Sequence, residues 1–392
     1  MKVSLEIIVP RGFEFSATTA GIKASGSPDF ALALAPQGAN AAAMFTTNRV
    51  IAAPLVCGRE HLRHSAGRVR AVVVNSGNAN CATGKAGLRA CQDVCRGVAK
   101  AVGCDGIEVF PSSTGVIGVP LPAERLVKAI PALIGGRSSE ANAAQAFARA
   151  IMTTDTRMKT ASARFGHATL FGVCKGAGMI HPRLATMLVY LFTDAQASAR
   201  ELRELLHDAV KVSFNRINID GDTSTNDTVL LLASGAVGRC TRKDFAAALN
   251  GVCESLARQI VADGEGVKHV INLTIEGARN HEEASQVARA ISNSCLVKTA
   301  FAGADPNWGR VLAAIGYSGA PIDPGKVDIF FGKYPVCRKG IIAPFDETTV
   351  HAYLSQPVVD VKVRLGRGKA SGTFWTCDLT TEYVHINADY TT

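Results

Sequence analysis

The chain of 392 residues contains no Cys-x-x-Cys pair. Its 11 cysteines are odd in number and scattered, and the closest two, Cys91 and Cys95, sit four apart on an expected helix. With no metal-ligand spacing beside a nearby histidine, this excludes a zinc-ribbon or thioredoxin-type motif and predicts no metal. Scattered thiols without a leader segment predict a reduced, cytoplasmic protein. The first residues, MKVSLEIIVPRGF, carry one lysine and a short apolar run broken by Pro10, which is not a secretory pattern. No five Lys/Arg residues follow one another, and aromatics make up only 6%. A basic tail and an aromatic-rich RNA-binding strand are thereby excluded, and no nucleic-acid partner is expected. The longest apolar stretches, at 186–192 and 229–233, are strand-sized, so no membrane partner is expected either. No internal repeat or low-complexity linker interrupts the chain.

What is present is ordinary globular usage, with 47% hydrophobic and 19% charged residues. Gly is frequent at 37 residues, which implies tight turns and close backbone approaches. There are 42 basic and 33 acidic residues, hence a net charge of +9. The basic residues are dispersed, as at Arg59, Arg63, Arg68 and Arg70, and read as solvated surface that favours anionic ligands in general. Helical periodicity predicts helices over 85–102, 121–134, 139–151, 197–211, 243–263 and 282–291. Strand patterns fall at 69–74, 168–173, 186–193, 228–233, 269–275, 326–331, 358–365 and 371–377. The turn-rich NSGNANCATG follows at 75–84. Strict strand-helix alternation is not sustained. The expected class is α+β (mixed α/β), with layered sheets covered by helices.

The stretch 168–194 carries the clearest chemistry. A strand leads into Lys175-Gly176-Ala177-Gly178, then His181-Pro182, then Ala185-Thr186 at the head of an apolar strand. The Lys-Gly-x-Gly piece lacks the spacing of a phosphate-binding loop and, taken alone, reads as a connection between strands. Thr186 is more telling. A threonine hydroxyl is a poor nucleophile unless a base assists it, and a chain cut before the threonine would supply its own α-amine as that base. The plainer reading of Thr186 is a β-branched residue starting a strand.

KGAGMIHPRLATML at 175–188 resembles the cleavage and active-site segment of the ornithine acetyltransferase (glutamate N-acetyltransferase) family of arginine biosynthesis. Further blocks resemble the same family in the same order. They are VVNSGNANCATG at 73–84, PSSTGVIG at 111–118, AIMTTDT at 150–156, INIDGDTSTNDT at 217–228, ADGEG at 262–266, ADPNWGR at 304–310 and CDLTTEYVHINADYTT at 377–392. Arg183-Leu184 and Met158 depart from the usual pattern without touching the proposed chemistry.

The resemblance implies a self-cleaving enzyme of the N-terminal-nucleophile type. Cleavage between Ala185 and Thr186 would yield an α chain, 1–185, and a β chain, 186–392, packed as one unit and assembled as a heterotetramer of two of each. Thr186 would be the nucleophile. Thr114 and Gly115 would form the oxyanion hole, where a hydroxyl and a glycine N–H face the developing charge. Substrate contacts would come from Thr154, Lys175, Thr186, Glu265, Asn387 and Thr392, with Thr153 an equal alternative to Thr154. Asp220, Asp222 and Asp227 do not have EF-hand spacing and read as a polar loop near the site.

The reaction implied is acetyl transfer from N2-acetylornithine to glutamate through an acetyl-threonine ester, with no cofactor. Some family members also take the acetyl group from acetyl-CoA. A different class, an amidohydrolase or aminopeptidase with the same threonine chemistry, is the alternative; there water replaces glutamate as acceptor.

Overall fold

The computed structural model describes residues 3–181 and 187–389. In chain order its strands are β1 (Val3–Ser4), β2 (Glu14–Thr18), β3 (Phe30–Phe45), β4 (Arg68–Asn78), β5 (Val109–Val116), β6 (Lys159–Phe165), β7 (Ala168–Lys175) and β8 (Leu188–Ala195). Then come β9 (Thr228–Gly238), β10 (Val270–Ala278), β11 (Asp328–Phe331), β12 (Tyr334–Arg338), β13 (Ile341–Ile342), β14 (Val358–Arg364) and β15 (Ala370–Cys377). The helices are α1 (Ala53–His64), α2 (Gly84–Val102), α3 (Ala123–Gly135), α4 (Ala141–Ala150), α5 (Ala199–Val212) and α6 (Arg242–Ala262). They are followed by α7 (His281–Asn293), α8 (Cys295–Ala302), α9 (Trp308–Gly316), α10 (Glu347–Leu354) and α11 (Thr381–Asp389).

Two mixed sheets organise these elements. Among the described residues the first has nine strands in the order β1-β6-β7-β8-β9-β3-β4-β5, with β2 added on β3. The second has six, in the order β13-β12-β11-β14-β10-β15. Parallel pairs (β4 with β5, β8 with β9, β10 with β14) lie among antiparallel ones, as a mixed α/β class requires.

The central strands of the first sheet are buried on both faces, so their apolar residues run continuously. The pleat then divides them. Val189 and Leu191 of β8, with Val229 and Leu231 of β9, face the core under α5 and α6. Leu188, Tyr190, Phe192, Leu230 and Leu232 face the opposite core, where Phe13, Phe15, Phe147 and Phe171 pack edge-to-face. Helices α1 and α2 cover β4 and β5, and α3 packs beside α2 over β2 and β3. The second sheet carries its own core beneath α7 to α10.

Helix α5 shows how sequence sets such an element. Ser198 and Glu201 form a capping box at its start, and Leu202, Leu205, Leu206, Ala209 and Val210 make its buried stripe. The expected helices all form, within two residues at each end. The segment 75–84 differs from expectation, because β4 continues through Asn78 before the chain turns. Strand β3 was not expected. Its sequence, FALALAPQGANAAAMF, is alanine-rich and broken by Pro36 and Gly38, and its register against β4 shifts between Leu34 and Ala39. Beyond that shift its second half pairs with β9.

Candidate active site

The C-terminal ends of β5 and β7 bring PSSTGVIG and CKGAG close together. Thr114, near the end of β5, is buried, and its Oγ1 lies 3.4 Å from Lys175 Nζ at the end of β7. The next residue is a glycine for a spatial reason. Gly115 has φ +132°, and a Cβ there would fall 2.3 Å from the Gly77 carbonyl carbon and 2.5 Å from Asn78 N. Only a residue without a side chain lets β5 lie this close to the irregular end of β4.

Lys175 is buried, and burial pushes its ammonium below the usual lysine range, as does the nearby Lys159; Asp155, Glu265 and Asp227 pull the other way. Behind it lies a buried charge cluster absent from the sequence-based site. Lys159 Nζ donates to Asp155 Oδ1 at 2.6 Å and to Asp263 Oδ2 at 2.5 Å, with all three side chains nearly inaccessible. Asp155 also accepts from Gly176 N at 2.6 Å and Thr153 N at 3.0 Å. Burial alone would raise the Asp155 carboxyl, but Lys175 and Lys159, together with these hydrogen bonds, hold it down at about 2. Asp263 accepts in turn from Thr156 Oγ1, from Thr156 N at 3.1 Å and from Arg157 N at 3.3 Å. The cluster fastens the TTDT loop to the DGEG loop.

The DGEG loop presents Glu265, whose N–H donates to the Ala177 carbonyl at 2.9 Å. Gly178 faces the carboxylate so closely that a Cβ would sit 2.5 Å from Glu265 Oε2. Asn387 of α11 donates to that same oxygen at 2.8 Å. Gly266, with φ +69°, leaves the space in which the Tyr383 backbone N of α11 approaches to 2.5 Å of where a Cβ would be. Thr380 Oγ1 donates to the Gly266 carbonyl at 2.7 Å and Tyr383 Oη to Asp220 Oδ2 at 3.4 Å. The described tail is helix α11 through Asp389, and Asn387 lies within it.

These residues line one cleft of about 100 Å³. Thr114, Gly115, Thr153, Thr154, Lys175, Glu265 and Asn387 are all in its wall, so geometry leaves the choice between Thr153 and Thr154 open. Ala185, Thr186 and Thr392 lie outside the described residues. The described chain on either side of 182–186 is held by two aspartates. Asp220 accepts from Met179 N and from Ile180 N at 2.9 Å, and Asp227 Oδ1 accepts from Met187 N at 2.9 Å. Burial raises both carboxyls above the usual range, Asp227 strongly. Asp220 and Asp227 of the INIDGDTSTNDT segment thus brace backbone.

The same loop adds Ser224, Thr225 and Asn226 to the cleft. Asn226 Nδ2 donates to the Ala79 and Ser113 carbonyls at 2.7 and 2.8 Å, tying the loop to β5. Neither Asn226 nor Lys159 belonged to the sequence-based set; their value lies in pairings with residues far along the chain.

The expectation of no metal-ligand set meets a different geometry on the opposite end of β5. There one ligand atom each from Cys57, His61 and Cys95 all lie within 4.8 Å of one another. Among the described residues no helix is long and apolar enough to cross a membrane.

Comparison with known proteins places the whole chain. It is 45% identical over 388 residues to the arginine biosynthesis bifunctional protein ArgJ of Thermus thermophilus, covering 99% of this chain and 100% of the relative. It is 44% identical over 392 residues to the ArgJ protein of Syntrophotalea carbinolica, covering 97% and 99%. A solved ornithine acetyltransferase from Mycobacterium tuberculosis, complexed with ornithine, is 34% identical over 48% of this chain and 99% of its own, with a TM-score of 0.44. A sequence model of the ArgJ family matches residues 14–392, and the chain belongs to that family.

Proposed function

We propose that the protein is a glutamate N-acetyltransferase that moves the acetyl group of N2-acetylornithine to glutamate, in the arginine-biosynthetic setting for which its curated relatives are named. The observation that carries this reading is the convergence of Thr114, Gly115, Lys175, Glu265 and Asn387 on one cleft. They come from distant parts of the chain, and each is a residue type the reaction needs.

The chain first cuts itself between Ala185 and Thr186, giving 1–185 and 186–392. Thr186, now an N-terminus, attacks the acetyl carbonyl with its own α-amine as base. A free α-amine titrates at roughly 7.7–8.0, which leaves a useful fraction uncharged near neutral pH. Thr114 Oγ and the Gly115 N–H donate to the tetrahedral oxyanion; one such donor is worth about 3–4 kcal/mol. Ornithine leaves, the acetyl ester stays on Thr186, and glutamate attacks it. Amide is exchanged for amide, so no ATP is consumed. The family name of the relatives, a bifunctional protein, fits acetyl-CoA as a second acetyl source.

The two substrates differ in the charge of their side chains: ammonium in ornithine, carboxylate in glutamate. A bare charge at that position would reject one of them. Glu265 is not bare, because Asn387 donates to it. The carboxylate serves the ammonium, and the amide serves the carboxylate by releasing one of the two N–H bonds that it otherwise gives to Glu265 and to the Tyr383 carbonyl. Lys175 takes the α-carboxylate that both substrates share, as a point charge suited to it. Two chains of each kind form the assembly in this reading, in the cytoplasm.

Intact-mass spectrometry with N-acetylornithine tests the proposal. It should show two fragments split at 185/186, with one acetyl group added to the fragment that begins at Thr186. With glutamate, N-acetylglutamate should accumulate. Acetate released at the same rate without glutamate would instead identify an amidohydrolase.

A further inference from the structure

Helices α1 and α2 pack against each other over the outer face of β5, and four soft ligands meet at their contact. Cys57 and His61 stand four apart on α1, Cys91 and Cys95 four apart on α2, so each pair occupies one helix face. Cys57, Cys91 and Cys95 are buried, and His61 is half-buried. The His61 Nε2 lies 3.3 Å from Cys57 Sγ. Its Nδ1 lies 2.7 Å from the Val109 carbonyl, which can only accept, so Nδ1 carries the proton and Nε2 presents its lone pair to the thiols. The Cys91 thiol is within hydrogen-bonding reach of both Cys57 and Cys95.

We propose that Cys57, His61, Cys91 and Cys95 form a structural binding site for a soft divalent metal ion of the zinc class. The donor set, three thiols and one imidazole, is a closed four-ligand set of the kind that binds tetrahedral zinc. Ligand atoms around such an ion stand roughly 3.5–3.8 Å apart. Cys57, His61 and Cys95 already lie within 4.8 Å of one another, and Cys91, one turn before Cys95 on the same face of α2, supplies the fourth ligand. The backbone carbonyl on Nδ1 is the outer partner that fixes tautomer and ring direction in metal-bound histidines. Each thiol that ligates gives up one proton to solvent on binding, so affinity rises with pH.

Two other readings account for less. Buried cysteines can serve as small apolar side chains, but packing alone gives no reason for a histidine anchored by one nitrogen to aim the other at a thiol. A disulfide between two of the thiols would leave the third, and His61 Nε2, without a partner.

The site also touches the cleft indirectly. Val109, which holds His61, begins β5, and Thr114 and Gly115 lie toward the other end of the same strand. A metal here would clamp both helices to the strand that carries them.

The test uses the full chain, reduced, stripped with chelator and titrated with Co²⁺, alongside metal analysis of protein purified without chelator. The expected result is one ion per chain, a thiolate-to-cobalt charge-transfer band, and a higher unfolding temperature with Zn²⁺. Loss of an outer partner alone costs about 10–100-fold in affinity. Cys57→Ser, Cys95→Ser and His61→Asn should therefore each weaken Co²⁺ binding by at least about tenfold. The wild-type titration decides the matter even where a variant fails to fold. No band and no stoichiometric metal, or equal affinity in folded variants, overturns the proposal. So does an intact mass showing a disulfide among these thiols in protein that binds no metal.

Discussion

The Asn387 amide lies 2.8 Å from Glu265 Oε2, joining the last helix to the DGEG loop across most of the C-terminal half. Helix α11 buries none of its residues fully, so it is held by polar ties and by the space at Gly266. The wall of the cleft that it forms is thus specified by a few hydrogen bonds.

Asn387→Ala should therefore leave folding nearly unchanged and expose a lone Glu265 carboxylate to substrates. We expect KM for glutamate to rise more than KM for N-acetylornithine, because only the former meets a bare like charge. Steady-state kinetics on both substrates check this; equal changes would count against the shared-pocket reading.

Thr114→Ala removes one donor from the oxyanion site while the Gly115 N–H remains. The expected loss is about 10²–10³ in kcat with little change in KM. A rise in KM at constant kcat would move Thr114 from transition-state stabilisation to ground-state binding.

Gly115→Ala should act through the backbone. Its Cβ would collide with the Gly77–Asn78 peptide, which cannot swing away as a flexible side chain can. A stability loss of about 2–4 kcal/mol is expected, visible as a lowered denaturation midpoint, together with loss of activity. Gly103→Ala is the control, since φ is also positive there but no atom lies within 4 Å of the new Cβ.

Asp155 sets an acid limit on stability. Its carboxyl is held at about 2 in the folded protein against an ordinary 3.8, so the native state prefers the ionised form. That contribution is fully present above the unfolded value and disappears as pH falls through about 2. It amounts to on the order of 2 kcal/mol. In Asp155→Asn this part of the acid dependence should vanish. Stability at neutral pH should also fall by about 3 kcal/mol, because Lys159 keeps only Asp263 as a buried counter-charge. Urea midpoints measured between pH 2 and 7 test both statements.

Thr186→Ala should remain a single chain and transfer no acetyl group. A variant that still splits at 185/186, or still turns over, would remove Thr186 from the mechanism.

Much of the architecture is visible in the sequence where one physical signal dominates. Helix α5 has an amphipathic stripe and a capping box, and β8 and β9 each carry a short unbroken apolar run, LVYLF and VLLLA. Strand β3 escapes because alanine carries no strand preference and Pro36 reads as an end; pairing with β2, β4 and β9 overrides both. Helix α11 escapes because its faces are all partly exposed, leaving no stripe to detect. In the cleft, Glu265 is marked by the glycines on either side of it. The Lys159 cluster and the Cys57–Cys95 group are not marked, since each joins residues that only the fold brings together. The spacing of four between Cys57 and His61 is a signal that the amino-acid sequence does carry.

Strand order carries one more consequence. β8 and β9, which follow residue 186, lie between β7 on one side and β3 on the other, and both of those precede it. Lys175 pairs with Leu188 and Phe45 with Thr228, so the two halves alternate within a single hydrogen-bonded layer. A cut at 185/186 would leave that weave intact while removing the connection that first placed its threads. Mature protein would then hold a form it reached as one polymer and could regain only by collision of two. Once unfolded, its recovery would depend on concentration, whereas the uncut precursor would recover at a rate independent of it. The molecule would trade reversibility for a reactive amine.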